Sequence, residues 1–219
     1  MNSTSRSPQP PSAATWAFCE TRVAPPPAVR EAIDEATAAG HVPPSEGVLA
    51  LLATLTRAVR AKAVVEIGTY MGASGLTFLS SMAHDGVLTS IDAEADNQYA
   101  ARRLFLKAGL PSSRFRLIAG SPLDIMPKLR DGAYDLVFIN GDKTSYVEYV
   151  ISADRMLREG GMLVLHDALW HGDVADEDNE GDEALIIREA IDAIAQNEAY
   201  DYSLLPVGNG LLLAVKHTL

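Results

Sequence analysis

Short apolar runs alternate with longer amphipathic stretches along most of this chain. Val64 to Ile67, Val87 to Ile91, Phe115 to Ala119, Leu136 to Ile139 and Met162 to Leu165 have the length and composition of strands buried on both faces. Between and after them, helical spacing predicts helices over 74–83, 95–108, 122–130 and 144–158. Upstream, Val29, Ile33 and Ala36 mark one helix from Pro27 to about Gly40, and Leu49, Leu52 and Leu55 mark a second from Glu46. Two helices therefore precede the first strand. Alternation of this kind implies right-handed crossovers, a parallel sheet covered on both faces, and ligands at the strand C-termini.

The end of the chain follows another rule. A helix from Glu183 to Asn197 leads into Tyr202 to Pro206 and Leu211 to Lys216, two strand-like runs joined through Gly208-Asn209-Gly210. Asn-Gly between apolar runs is a hairpin signal, because both residues tolerate positive φ. The expected architecture is α/β: a doubly wound, seven-stranded, mostly parallel sheet with an antiparallel last strand and two extra N-terminal helices. Residues 1–14, rich in Ser and Pro, read as a loose tail, and 15–219 as a single domain. Asp173 to Glu183 carries seven acids, which reads as a solvated, mobile loop or, more sharply, as a lid over a site at the end of the fifth strand.

Composition narrows the partners. At 219 residues with 47% hydrophobic and 21% charged positions, the chain is long enough for one domain with a sizeable core. A formal net charge of -11 opposes non-specific binding to nucleic acid or anionic membranes, leaving a small molecule as the expected partner. No apolar run reaches membrane-spanning length, and Met1 to Pro11 lacks the pattern of a secretory signal. The single cysteine, Cys19, excludes an internal disulfide and a cysteine-based metal cluster, and fits a reducing cytoplasm.

Val64 to Gly75 combines a buried strand, a glycine turn and a helix start. Gly68, Gly72 and Gly75 give G-x3-G-x2-G, unlike the G-x-G-x-x-G of dinucleotide folds, and Glu66 would repel a phosphate. An adenosine ligand without phosphates fits better than NAD. Asp92 ends the second strand, where a carboxylate can accept hydrogen bonds from ribose hydroxyls. As a bland alternative it caps the next helix.

The fourth strand continues as Phe138-Ile139-Asn140-Gly141-Asp142-Lys143-Thr144-Ser145-Tyr146-Val147-Glu148-Tyr149. This segment resembles the F-I-D-A-D-K-x-x-Y-x-x-Y signature of the cation-dependent O-methyltransferases, the group of caffeoyl-CoA and catechol O-methyltransferases. Val64 to Gly75, Gly120-Ser121-Pro122, Asp167-Ala168-Leu169-Trp170-His171-Gly172 and Leu205 to Leu211 resemble further motifs of that family in the same order. The resemblance implies a Rossmann-like fold, S-adenosyl-L-methionine as cofactor, and a homodimer. It places Val42, Glu66, Gly68, Thr69, Tyr70, Ser74, Asp92, Ser121, Pro122 and Asp142 around the cofactor. Lys143 matches the residue that takes the proton from the attacking hydroxyl.

The same resemblance exposes a departure. The family's metal ligands are an aspartate after the fourth strand and an adjacent aspartate and asparagine after the fifth, where this chain has Asn140, Asp167 and Ala168. Magnesium wants carboxylates and near-octahedral oxygen donors, so a resident divalent metal is not expected. Without one, Lys143, Asp167 and His171 are the catalytic candidates, His171 because an imidazole suits general-base work. His166 reads as a satisfied histidine whose strand alternation points it away from Asp167. Trp170 and Tyr146 could wall an aromatic pocket, although Tyr146 and Tyr149, three apart on one helix, also read as core. The leading expectation is an O-methyltransferase acting on a small hydroxylated, aromatic acceptor. The competing one is an S-adenosylmethionine-binding protein without transfer activity, in a sensor or assembly role.

Overall fold

The computed structural model describes residues 11–218. Its strands are β1 (Ala63–Ile67), β2 (Val87–Asp92), β3 (Phe115–Ala119), β4 (Tyr134–Ile139), β5 (Leu157–His166), β6 (Tyr200–Leu205) and β7 (Leu211–Lys216). They form one sheet in the order β3-β2-β1-β4-β5-β7-β6. β1 to β5 pair in parallel, while β7 runs antiparallel to both β5 and β6. From β1 the chain moves outward to β2 and β3, then returns to lay β4 on the other side. The order reverses between β1 and β4, so a crevice opens beyond their carboxyl ends.

Alternation along each strand divides the core in two. Val64, Leu88, Leu136 and Phe138 face α2 (Pro27–Ala38), α3 (Glu46–Ala58), α4 (Ala73–Ser81) and α5 (Ala95–Lys107). Val65, Ile67, Val137 and Leu163 face the opposite layer, built mainly from α7 (Tyr146–Met156) and α8 (Asp182–Ala195). Tyr146 and Tyr149 belong to this second core. Glu66, lying between Val65 and Ile67, is thereby turned toward α4.

Several expected boundaries shift for identifiable reasons. Three helices precede β1, because α1 (Ala13–Glu20) begins inside the stretch read as tail, with Ser12 accepting a capping bond from Thr15. α1 has no buried residue, so it leaves no apolar stripe to find. Residues 1–10 of the expected tail lie outside the described residues. The helix expected over 122–130 is only α6 (Pro122–Ile125) with a short 3-10 turn over Met126–Lys128, since Pro127 has no amide proton to continue the ladder. The helix expected over 144–158 begins as a 3-10 turn, Lys143–Ser145, before α7. In the β6–β7 connection the positive φ values belong to Gly208 and Gly210 rather than to an Asn-Gly pair.

The acidic stretch is not a free loop. Arg188 of α8 donates to the carbonyls of Val174, Asn179 and Asp173 at 3.0, 2.8 and 2.9 Å, and also to that of Asp176. One guanidinium thus organises a segment whose own charges repel. No described helix is long and apolar enough to cross a membrane.

Candidate active site

The glycine turn after β1 is fixed by close backbone approach. Gly68 has φ +91°, and a Cβ there would lie 2.2 Å from the Asn140 carbonyl oxygen, so only glycine lets the ends of β1 and β4 converge. Gly72, at φ 84°, is the N-cap of α4 and packs against Phe105. Asp92 holds the turn from the β2 side. Its Oδ2 accepts the amides of Thr69 and Tyr70, each at 2.9 Å, and its Oδ1 accepts that of Glu94 at 2.9 Å. Asn97 donates to both oxygens at 3.2 Å. The carboxylate therefore shapes the turn as well as facing the crevice.

Glu66 sits below this turn, fully buried, with hydroxyl donors Ser74 on Oε1 and Ser90 on Oε2. Ser90 also meets Thr69 Oγ1 at 2.6 Å, and Gln98 Nε2 donates to Thr69 Oγ1 at 2.8 Å. Burial pushes the Glu66 carboxyl up to about 7 against the two hydroxyl bonds, and the nearby Asp92 adds to the rise. Of the residues expected to touch a cofactor, Glu66 and Ser74 face each other inside the protein. Sequence reasoning missed Ser90, Asn97 and Gln98. The parallel register, which sets Glu66 beside Ser90, is what brings the first of these in.

Two cavities open above the sheet and share Tyr70. The first, of about 290 Å³, is lined by Gly68, Asp92, Asn97, Pro122, Asp142 and Tyr149 among others. Ser121 is exposed beside it, and Asp142 caps the turn that follows β4 by accepting the Thr144 amide at 3.2 Å. The second, of about 400 Å³, is lined by Asn140, Lys143, His166, Asp167, Trp170 and His171, with Val42, Pro43 and Asn209 at its rim. Val42 is 87% exposed, so it stands at the opening rather than in the wall. The Tyr70 phenol is raised, by burial first and then by Asp92, Asp167 and Asp142, which places three carboxylates around the junction of the two cavities.

The second cavity is built on strained backbone. Tyr70, Asp167, Trp170 and His171 all have positive φ, between 40° and 59°, a conformation that costs a non-glycine residue about 1–3 kcal/mol and gathers at functional sites. The hairpin between β6 and β7 supports it. Asn209 Oδ1 accepts the His171 amide at 2.6 Å, its carbonyl accepts the Leu169 amide at 3.0 Å, and the Gly210 carbonyl accepts that of Ala168 at 3.0 Å. A Cβ on Gly210 would lie 2.4 Å from the Leu169 nitrogen. Asn209 is a fourth residue that sequence reasoning missed, since its Asn-Gly pairing was legible only as a turn.

Lys143 is 8% exposed, and its Nζ lies 2.9 Å from Asp167 Oδ2 and 3.3 Å from the Gly141 carbonyl. The same nitrogen stands over the rings of Tyr146 and Trp170, at 5.0 and 5.4 Å from their centroids. Burial alone would raise Asp167, but the adjacent His166 and the Lys143 ammonium hold it below the usual carboxylate range. His166 does not point away: the left-handed turn at Asp167 folds the carboxylate back to 3.5 Å from His166 Nδ1. That nitrogen also meets Asn140 Oδ1 at 2.8 Å. Burial lowers the imidazole to about 4, so it is neutral near pH 7 and Asp167 draws its charge partner from Lys143. Asn140 Nδ2 is buried without a partner.

The donor set is poor for a cation. Ala168 is fully buried and has no donor atom, Asn140 Oδ1 is engaged by His166, and an ammonium already occupies one oxygen of Asp167. Among the described residues no three His, Cys, Asp or Glu side chains group in a way that could hold a metal ion.

Known proteins resemble this chain in sequence and fold. A family model for O-methyltransferases matches residues 28–217. A protein of Mycobacterium sp. (strain JLS) named as an O-methyltransferase is 44% identical over 178 residues, covering 81% of this chain and 80% of its own length. One of Mycobacterium tuberculosis (strain H37Rv), named likewise, is 40% identical over 203 residues, covering 92% and 90%. A crystal structure from Corynebacterium glutamicum superposes with a TM-score of 0.86 at 32% identity, covering 93% of this chain and 95% of that one. TomG of Streptomyces achromogenes, an O-methyltransferase of tomaymycin synthesis solved with S-adenosylmethionine, gives a TM-score of 0.84 at 24% identity, with 92% and 95% covered.

Proposed function

The chain belongs to the O-methyltransferase family, and from that premise we propose that it moves the methyl group of S-adenosylmethionine to a hydroxyl of a small aromatic acceptor. The observation that carries the reading is the pair of cavities meeting at Tyr70, one lined by Asp92 and Asp142 and the other holding the Lys143–Asp167 ion pair. Gly68, Thr69, Tyr70, Asp92, Pro122 and Asp142 form the cofactor side, with Ser121 at its margin, while Val42 stands at the opening of the neighbouring cavity across Tyr70. Glu66 and Ser74 support that side from beneath. Bound there, the cofactor supplies an electrophilic methyl on a positively charged sulfur, and the three carboxylates around Tyr70 suit that charge.

The acceptor oxygen bonds to the methyl carbon as the carbon–sulfur bond breaks, leaving its electron pair on sulfur, while the hydroxyl proton departs. Lys143 and Asp167 orient the oxygen, and Trp170 packs beside the ring. His171, exposed at the mouth, is the group placed to carry the proton to solvent. In-line displacement gains most from holding the reacting atoms close and aligned, and the braced, strained loop serves that need. The donor set described above does not fit a resident divalent metal, and no step is routed through one. A cofactor-binding protein without transfer activity is not favoured, because the acceptor cavity retains buried charged groups that a mere cofactor sensor does not require.

Cytoplasmic residence and a homodimer belong to the same proposal. The lone, exposed Cys19 supports the first, and the exposed Phe18 and Val23 near α1 support the second, which sedimentation would check. The central test is calorimetric titration with S-adenosylmethionine, followed by a methyl-transfer screen over small phenols. Binding without turnover on any acceptor would overturn the transferase reading.

A further inference from the structure

We propose that the Lys143 ammonium takes the place of a divalent cation in this site, and that the acceptor is consequently engaged through one hydroxyl rather than through two adjacent oxygens. The proposal rests on the transferase reading above and names the substrate class of the same cavity.

A metal clamp recognises a catechol because it offers two open positions to neighbouring oxygens. An ammonium is different, having three N–H donors and no second coordination site. Here Lys143 is committed to Asp167 Oδ2 at 2.9 Å and to the Gly141 carbonyl at 3.3 Å, which leaves one donor for one acceptor oxygen. The head group cannot swing freely to find another partner. It is 8% exposed and stands over the faces of Tyr146 and Trp170, which favour a cation at that point.

The surrounding residues agree with this count. At two of the three positions where the resemblance has metal ligands, Ala168 has no polar side-chain atom and Asn140 Oδ1 is turned to His166. The two substitutions, Asn140 and Ala168, divert or remove donors, while Lys143, which the signature shares, stays in the cavity as a cation paired with Asp167. A second hydroxyl on the ring would find no second lysine or arginine among the residues lining the cavity. Phenols with one hydroxyl should bind as well as their catechol counterparts.

The test compares 4-nitrophenol with 4-nitrocatechol, whose absorbance reports binding directly, in the presence of saturating S-adenosylhomocysteine. With a chelator present, the two should bind within about threefold of each other, and added magnesium should change neither. Lys143→Met should weaken both by about tenfold or more while leaving S-adenosylhomocysteine affinity intact, and Lys143→Arg should recover part of the loss. If magnesium tightens 4-nitrocatechol by about tenfold or more in the unaltered protein, the proposal is overturned and the transferase reading stands. If S-adenosylhomocysteine itself does not bind, both fall together.

Discussion

Glu66→Gln should make the protein more stable in mildly alkaline solution while changing little in acid. The carboxyl is fully buried and raised from 4.5 to about 7 in the folded protein. Its folded form holds a proton more tightly than the unfolded chain, so its contribution is fully present below about pH 4.5 and is lost as pH rises through about 7. A shift of that size corresponds to roughly 3 kcal/mol, of which about 2.5 falls between pH 5 and 8. Glutamine keeps the shape and stays neutral, and its amide can meet Ser90 because either hydroxyl of the Thr69–Ser90 pair can donate. Urea unfolding of the unliganded protein at pH 5, 6, 7 and 8 would read this as a free-energy difference between variant and parent that grows with pH. A constant difference across that range would show that Glu66 does not titrate there, and the burial argument would be wrong.

Three further outcomes follow from the same geometry. Asp92→Ala removes the acceptor for the Thr69 and Tyr70 amides, so S-adenosylmethionine should bind more weakly by about 1–3 kcal/mol in calorimetry; unchanged affinity would remove Asp92 from the cofactor side. Asn209→Ala frees the His171 amide and should lower kcat by about tenfold with S-adenosylmethionine affinity unaltered, whereas an equal loss in both would point to general unfolding of the hairpin. Arg188→Ala strips the donor from four carbonyls and should cost about 2–4 kcal/mol in denaturant melts, with new proteolytic cleavage between Asp173 and Gly181. Cleavage elsewhere, with that segment intact, would contradict its role.

The sheet was legible because strands buried on both faces leave continuous apolar runs, and the turn after β1 because glycine spacing reflects backbone approach. What the carboxylates do was less so. Asp92 could be placed at the end of β2, but its bonds to Thr69 and Tyr70 depend on how far β1 and β2 are offset, which no local pattern encodes. Glu66 lies within the recognised motif, yet its bonds to Ser74 and Ser90 depend on strand parity and on the β1–β2 register. His166 defeated the alternation rule because Asp167 leaves the strand in a left-handed conformation. The Arg188 anchor was invisible for another reason: an acidic run predicts repulsion, and the cation that quiets it arrives from a later helix and binds carbonyls rather than carboxylates.

The position of β7 has a consequence for how the protein is made. This strand lies between β5 and β6, so β6 has no partner in the sheet until β7 has left the ribosome. The loop that carries Asp167 and His171 likewise waits for Asn209 and Gly210 to arrive. During synthesis the half of the sheet proposed to seat the methyl donor can assemble early, while β5 keeps an open edge next to the unfinished cavity of Lys143 and Asp167. A nascent chain stalled before Leu211 should therefore be competent for cofactor, unable to react, and prone to pair its bare strand edge with a neighbour.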